Sequence, residues 1–302
     1  MDLRQLEYAV AVVDHGGFTR AADALHVAQP SLSQGVQSLE RELGVQLFER
    51  LGRTVSLTAA GEVVVDGARR VLRDAAELRA ASAAVAGVVT GRLDVVALPT
   101  LAVDPLARLI GAFRAAHPGV TVSVTEPEDA ASVERQVLAG RAELGFADLT
   151  TGGHDLVRVE LFRQEVVAVS PPGTVGAGPT LTHAALAKLP LLATPPGTST
   201  RRLLDQVIAR SGVAANVVVE TSHRESLVPL AVAGAGTTIV PASMAADAER
   251  QGAVVRSLRP AVTRRVGILH RRGPRSPAAD AMLTLATTSR LGTLPDAPWG
   301  VV

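Results

Sequence analysis

The 302-residue chain has no cysteine. That excludes disulfides, thiolate metal sites and a cysteine nucleophile. Aromatic residues make up only 2%. Base stacking on single strands is therefore disfavoured, and the cores must be built from Val, Leu, Ala and Ile. Lys188 is the single lysine, so nearly all positive charge is arginine. Net charge is +1, so no overall basic field announces nucleic acid, and any DNA contact must come from a local arrangement. No apolar run approaches the ~18–20 residues that span a bilayer. The opening "MDLRQLEYAV" lacks the basic-then-apolar pattern of a secretory signal. A soluble, cytoplasmic protein with no membrane partner is expected.

Signs of enzyme chemistry are also missing. His15, His26, His117, His154, His183, His223 and His270 are scattered without metal-ligand spacing. The lone Gly-Ala-Gly at 234–236 follows a helical pattern and precedes a strand, the reverse of a dinucleotide-binding turn. Neither a phosphate-binding loop nor a nucleophile elbow occurs. No cofactor and no metal are expected.

What is present is a hydrophobic fraction of 47% and enough length for two or three domains. Leu3, Leu6, Val10 and Val13 recur at helical spacing. A short helix is expected from Phe18 to about Leu25. A longer one begins at Pro30, whose missing N–H suits a first helical position, and Gly44 closes it in a left-handed conformation. Leu32, Val36, Leu39 and Leu43 mark its buried face. "VQLFERLGRTVSLT" then reads as two short strands joined at Leu51-Gly52-Arg53.

From Ala59 to about Ala86 the pattern is one long helix of roughly 40 Å. Val64, Ala68, Val71, Ala75, Leu78, Ser82 and Val85 are spaced 4, 3, 4, 3, 4, 3, a heptad seam that suits dimerisation. Beyond Gly91 strands alternate with helices: "RLDVVALPT", "VTVSVTE", "AELGFAD", "EVVAVSPPG", "LPLLATPPGTSTRRLLDQVIARSG", "NVVVETS", "TTIVP" and "RRVGILHR", with a last helix in "SPAADAMLTLATTSR". This alternation argues for a parallel α/β sheet. The strand, Pro/Thr turn and helix start of "VVALPTLAVDPLARLIGAF" return in "PLLATPPGTSTRRLLDQVI", so two similar lobes with a cleft between them are expected.

A helix–turn–helix places the outward N-terminal part of its second helix in the major groove. With the apolar residues turned inward, Gln29, Ser31, Ser33, Gln34, Gln37 and Ser38 are left at or near the outer face. Gln matches the adenine N6/N7 edge and Pro30 can press on a thymine methyl. Ser hydroxyls and free helix-start N–H groups suit phosphate. A solvated polar face would look the same. The hairpin favours DNA, because Arg50 and Arg53 sit at its tip. In the second half, Thr100, Thr198, Ser199 and Thr200 fall at strand ends and helix starts, Ser222 and His223 follow "VVVET", and Phe146 ends a strand. Such groups favour an anion such as a carboxylate; ordinary helix capping uses the same residues. Arg201, Arg202 and Arg224 are candidate charge partners.

The run "FTRAADALHVAQPSLSQGVQSLERELGVQLFERLGRTVSLTAAGE" resembles the winged helix–turn–helix of LysR-type transcriptional regulators. "HPGVTVSV", "AGRAELGFAD" and "AGAGTTIVP" are similar to stretches of that family in the same order, so the resemblance covers essentially the whole chain. It implies a multidomain α/β fold. A winged helix–turn–helix (1–58) and a linker and dimerisation helix (59–90) precede a two-lobed effector domain (91–302) similar to type 2 periplasmic binding proteins. Lobe I comprises about 91–164 and 266–302, and lobe II about 165–265. It implies sequence-specific binding of double-stranded DNA, a small-molecule effector between the lobes, assembly as a dimer or tetramer, and RNA polymerase as a partner if the protein activates. DNA contacts map onto Thr19, Gln29, Pro30, Ser31, Ser33, Gln34 and Gln37, with wing contacts at Arg50 and Arg53. Effector contacts map onto Thr100, Leu101, Phe146, Thr198, Ser199, Thr200, Ser222 and His223. Two positions depart from the pattern: Gly17 stands where a capping Ser is common, and Gln34 where Arg is common. The alternative reading is a solute-binding protein of the same two-lobed fold, which the DNA head and the missing signal disfavour.

Overall fold

A computed structural model of the protein describes residues 1–51, 54–84, 89–150, 153, 155–174, 178–210 and 212–289. Chain order builds an all-helical head with a hairpin, a long helix, and a two-part α/β domain.

The head holds α1 (Leu3–Asp14), α2 (Phe18–Ala24), α3 (Gln29–Leu43) and the antiparallel hairpin of β1 (Phe48–Leu51) and β2 (Thr54–Leu57). A capping box opens α1: Gln5 N donates to Asp2 Oδ1 at 2.8 Å, and Asp2 N donates to Gln5 Oε1 at 3.1 Å. Gln29, not Pro30, is the first residue of α3; Pro30 is second, where its N–H would also lack a helical partner. Gly44 ends the helix with φ +68°, which avoids the penalty a Cβ would carry there. The expected inward face holds for Leu32, Val36 and Leu39, which are buried. Leu43 is exposed instead, because the helix ends there and nothing packs over its last turn.

Two small cores hold the head together. Tyr8, Val12, Ala21, Leu32 and Val36 form one; Leu6, Ala9, Leu39, Leu47 and Ala68 form the other. Close approach of α1 and α3 requires a glycine, since a Cβ on Gly35 would lie 2.6 Å from the Tyr8 ring. Glu40 Oε1 accepts from Leu47 N at 2.7 Å and Phe48 N at 3.3 Å, which fixes where the hairpin leaves the helix. The rings of Phe18 and Phe48 meet edge-on at 5.5 Å, which joins α2 to the hairpin.

The long helix α4 (Ala59–Ala84) starts under Thr58, whose Oγ1 accepts from Gly61 N at 2.9 Å. The expected heptad seam divides along its length. Ala68 and Val64 pack into the head core, and Arg69 pairs with Asp14 of α1. Val71 and Leu78 stand 44% and 74% exposed, on a face shared with Val63, which is 71% exposed. The Ser82 side chain and Val85 lie outside the described residues.

The remainder begins with β3 (Gly91–Ala97), the turn α5 (Pro99–Leu101), α6 (Ala107–Ala116), β4 (Val120–Thr125), α7 (Ala130–Leu138) and β5 (Leu144–Asp148). Then follow β6 (Val157–Ser170), β7 (Thr180–Thr182), α8 (His183–Ala187), β8 (Leu191–Ala193), α9 (Ser199–Ala209) and β9 (Val217–Glu220). The chain closes with α10 (Leu227–Val232), β10 (Thr238–Pro241), α11 (Ala246–Arg250), β11 (Val254–His270) and α12 (Pro277–Thr288).

The sheet is mixed and not purely parallel. Strands β4, β3 and β5 run parallel, and β11, β6 and β10 continue the order β10-β6-β11-β5-β3-β4 with antiparallel pairings. The short strand β7 pairs with β11, while β8 and β9 form their own parallel pair. Strands β6 and β11 are far longer than the apolar stretches at 165–170 and 264–271 suggest. They pair along most of their length, from Val254–Ser170 to His270–Val157, with a register shift around Pro260, a position that Pro tolerates because the ladder is already broken there.

The hydrophobic core changes over along these two strands. Leu161, Phe162 and Val266 pack with the core around Leu93, Phe113 and Met282, whereas Val166 and Val262 pack with the core around Leu186 and Leu204. A third cluster, around Val169 and Leu227, completes that second part. We call the part centred on β3–β5 lobe I and the part centred on β8–β10 lobe II. The paired strands β6 and β11 run through both parts and are their main continuous connection.

Candidate functional sites

The first site is the outward start of α3. Gln29, Pro30, Ser31, Gln34 and Gln37 are exposed, and Ser33 is half-buried. Gln29 Nε2 donates to Ser33 Oγ at 2.8 Å, which leaves the Gln29 carbonyl oxygen outward. The helix is capped at Ala28, which contributes no side-chain bond; Ser31 N and Leu32 N donate to the Ala28 carbonyl at 3.0 and 3.2 Å, and Pro30 has no N–H. Thr19 is exposed on α2, two residues past its Gly17 cap, which contributes no side-chain bond. Arg20 folds back onto the Gly16 carbonyl. Arg50 lies in β1, but its side chain, like Arg53, is outside the described residues. Amides and hydroxyls dominate this face, so it suits hydrogen bonding to base edges more than bulk charge neutralisation.

The second site lies where the lobes meet. Thr100 is buried in the turn after β3, and its Oγ1 accepts from Arg264 Nη2 at 2.8 Å. Arg264 Nε donates to Gln164 Oε1 at 2.7 Å. Arginine can only donate, so this bond fixes the orientation of the Gln164 amide. Arg264 is the largest of the fully buried side chains and is held by neutral oxygens. Burial pulls its pKa down to about 10, with Asp148 raising it and Arg224 lowering it further. It is still a cation at neutral pH. Arg224, also buried, donates to Glu128 Oε2 at 2.6 Å.

Helix α9 enters this boundary with its N-terminus. Ser199 N donates to the Glu128 carbonyl at 2.9 Å, a main-chain bond from lobe II to lobe I. Thr198 is a capping residue: its Oγ1 accepts from Arg201 N at 3.2 Å and shares a bond of 2.6 Å with Thr194 Oγ1. Ser199 Oγ and Thr200 Oγ1 are buried with no hydrogen-bond partner, as are Gln164 Nε2 and Arg224 Nε and Nη1. Buried polar atoms are almost always satisfied, so several orphaned groups along one boundary mark a place built for a ligand. Asp129 caps α7 nearby. Burial pushes its carboxyl upward, but Ser132, Arg135 and Arg202 of lobe II together hold it below its usual value.

Not every candidate reaches this boundary. Leu101 and Phe146 are fully buried in the lobe I core, so they support the site from behind. Ser222 and His223 are exposed on the loop after β9. Arg201 turns away to Asp205 at 2.9 Å and Glu220 at 3.0 Å. Arg202, with Ser199, Leu98 and Asp148, lines a small interlobe cavity of about 30 Å³. Glu128, Gln164 and Arg264 were missed by sequence reasoning. The one available signal was charge inside "RRVGILH", where a strand interior would be apolar. Larger spaces, about 320 and 750 Å³, lie between the α1–α4 pair and lobe I. The orphaned donors, not the volume, point to the lobe boundary.

Among the described residues no group of three or more His, Asp or Glu could hold a metal ion, and no helix is long and apolar enough to cross a membrane.

Comparison with known proteins covers both sites. The model of the bacterial regulatory helix–turn–helix protein, lysR family, matches residues 3–62, and that of the LysR substrate binding domain matches residues 86–290. The chain is 33% identical over 250 residues to the transcriptional regulator TcbR of a Pseudomonas species, covering 82% of this chain and 84% of that protein. It is 39% identical over 146 residues to the transcriptional regulator TfdT of Cupriavidus pinatubonensis, which is 48% of this chain and 64% of that one. Among solved structures it is similar to a cysteine-substituted full-length OxyR from Pseudomonas aeruginosa, with TM-score 0.74, 25% identity and 96% of both chains covered. It is also similar to full-length CbnR complexed with its target DNA, with TM-score 0.66, 28% identity, and 95% of this chain and 99% of that one covered.

Proposed function

The chain belongs to the LysR family of DNA-binding transcriptional regulators, a non-enzymatic family that carries an effector-binding domain, and we propose that it reads its operator through α3 and answers a small organic anion held between its two lobes. The single observation that carries the anion is charge. Two buried guanidiniums, Arg224 and Arg264, meet here: Glu128 pairs with the first, and Asp148 acts on the second through its charge, while the hydrogen bonds of Arg264 go to neutral oxygens. A buried cation is costly unless it is paired, so these guanidiniums favour a carboxylate at this boundary. Thr100, Ser199, Thr200 and Gln164 supply the surrounding polar groups. The chain has no cysteine, so its signal is not the oxidation of a thiol.

At the operator, Gln29, Gln34 and Gln37 address base edges, Pro30 a thymine methyl, and Ser31, Ser33 and Thr19 the backbone. The wing residues Arg50 and Arg53 add local charge. Gln34 in the place of a common Arg moves that contact toward adenine. Two heads are brought together through the exposed Val63–Val71–Leu78 face of α4, giving a cytoplasmic dimer or tetramer. We divide the chain at 1–58, 59–90 and 91–302, with lobe I at about 91–164 and 266–302 and lobe II at about 165–265; the change of cores along β6 and β11 supports the lobe division. RNA polymerase is a further partner if the protein activates.

Effector binding favours one lobe arrangement over the other. In an oligomer this changes the spacing of the heads and hence the bend of the operator. A ligand drives such a change only by binding the two arrangements unequally. A thermal-shift screen of small carboxylates, followed by calorimetric titration of wild type and Thr100→Val, tests the site. The reading requires weaker binding by Thr100→Val; equal affinity removes Thr100 from it. Footprints that superimpose at every half-site with and without saturating effector remove the spacing mechanism.

A further inference from the structure

Glu128 touches lobe II twice. Its carbonyl accepts from Ser199 N at 2.9 Å, and its Oε2 accepts from Arg224 Nη2 at 2.6 Å. The two side chains of the ion pair differ sharply: Arg224 is 4% exposed and Glu128 is 53% exposed. The cation is therefore fixed inside lobe II, while the carboxylate hangs at the rim of lobe I and is free to leave.

The surroundings offer more donors than Glu128 uses. Arg224 Nε and Nη1, Ser199 Oγ, Thr200 Oγ1 and Gln164 Nε2 are buried without partners. These donor atoms are closed off from solvent, and the interlobe cavity of about 30 Å³, room for about one water, reaches them only at Ser199. A ligand can reach these donors only if a group already there moves. Arg224 is locked by burial, and Ser199 and Thr200 belong to the first turn of α9. Glu128 is the group that can swing into solvent.

We propose that Glu128 is a resident stand-in for the effector's carboxylate: it occupies Arg224 across the lobe boundary in the ligand-free protein, and a small carboxylate binds by displacing it. This rests on the interlobe effector site proposed above. The exchange swaps one carboxylate for another on the same guanidinium, so the charge of the boundary is kept while the side-chain tie between the lobes is broken. The main-chain bond from Ser199 to Glu128 is independent of the side chain and survives. Each binding event is thus coupled to release of one lobe-to-lobe contact, and the apparent affinity is lower than that of the empty Arg224 site by the strength of the pair displaced.

Acetate, the carboxylate fragment of Glu128 itself, is the probe. Full-length wild type, Glu128→Ala and the isosteric Glu128→Gln are melted over an acetate series at constant ionic strength. With the internal competitor gone, both variants should be stabilised by acetate at concentrations about tenfold lower than wild type requires. Adding Arg224→Gln to either should abolish the response. An acetate response equal in wild type and in both Glu128 variants, but lost with Arg224→Gln, overturns the stand-in role and leaves the interlobe anion site. A response that persists with Arg224→Gln, or no response in any variant, overturns both.

Discussion

Arg264 and Thr100 are 164 residues apart in sequence, and the guanidinium Nη2 of the first donates to the hydroxyl of the second at 2.8 Å. That bond ties β11, one of the two strands shared by the lobes, to the turn that opens lobe I's edge of the boundary. Thr100→Val keeps the shape and removes the acceptor. An N–H of a buried guanidinium is then left unpaired, which costs about 1–3 kcal/mol. Urea unfolding should show a fall of this size, alongside the weaker effector binding expected of the site. Unchanged stability would mean that the bond is not made in solution.

Gly61 lies where α4 crosses the base of the hairpin. A Cβ there would lie well inside van der Waals contact with the Leu47 carbonyl oxygen and crowd Leu57. Backbone cannot rotate aside as a side chain can, so Gly61→Ala should cost about 1–3 kcal/mol or more, confined to the head. Gel shifts should show operator binding weakened or lost, while the carboxylate thermal shift of the effector domain is retained. Full operator affinity in this variant would contradict the docking of α4 on the hairpin.

Glu143 gives a prediction in pH. It is buried at the start of β5's approach, with Ser276 N as a long donor at 3.4 Å. Burial raises its carboxyl above the ordinary glutamate value of 4.5, and the hydrogen bonds from Ser276 and the charge of Arg73 offset this only in part. The folded state therefore holds its proton more tightly than the unfolded one. Stability contributed by that proton is present at low pH and is lost as pH rises from about 4.5 through the folded value. Glu143→Gln should flatten this decline and gain stability relative to wild type at neutral pH, and chemical denaturation across pH measures it.

The face of α4 carrying Val63, Val71 and Leu78 tests assembly. Leu78→Glu places charge on the most exposed of these positions without touching either core. Sedimentation should show a shift toward monomer, with operator affinity falling because paired heads are lost. An unchanged oligomer would move the dimer contact elsewhere.

The head was legible from sequence because its information is local. A period of 3.6 separates Leu32, Val36 and Leu39 from Gln29, Gln34 and Gln37, and the structure keeps that division. The same rule failed at Leu43, one residue before the left-handed Gly44, where the helix has no further turn to cover it. The heptad in α4 was legible as a repeat but not in its use, since Val64 and Ala68 serve the head while Val71 and Leu78 remain outside. Strands β6 and β11 were read too short. Arg158, Glu160, Arg163 and Gln164 on one, and Arg256, Pro260 and Arg264 on the other, interrupt the apolar pattern by which a buried strand is recognised. The lobe boundary was half legible. Thr100, Ser199 and Thr200 stand at element ends that a strand-turn-helix pattern exposes. Glu128, Gln164 and Arg264 take their meaning from partners about a hundred residues or more away, which no local pattern encodes.

The central claim is that this chain recognises a specific operator through the outward amides of α3. The most direct measurement selects bound fragments from genomic DNA, then compares wild type and Gln34→Ala against every single-base variant of the recovered site. The account predicts a two-fold related site. It also predicts that Gln34→Ala loses discrimination of about 1–3 kcal/mol at one position in each half-site and keeps it elsewhere. A binding profile unchanged by Gln34→Ala at every position would contradict it.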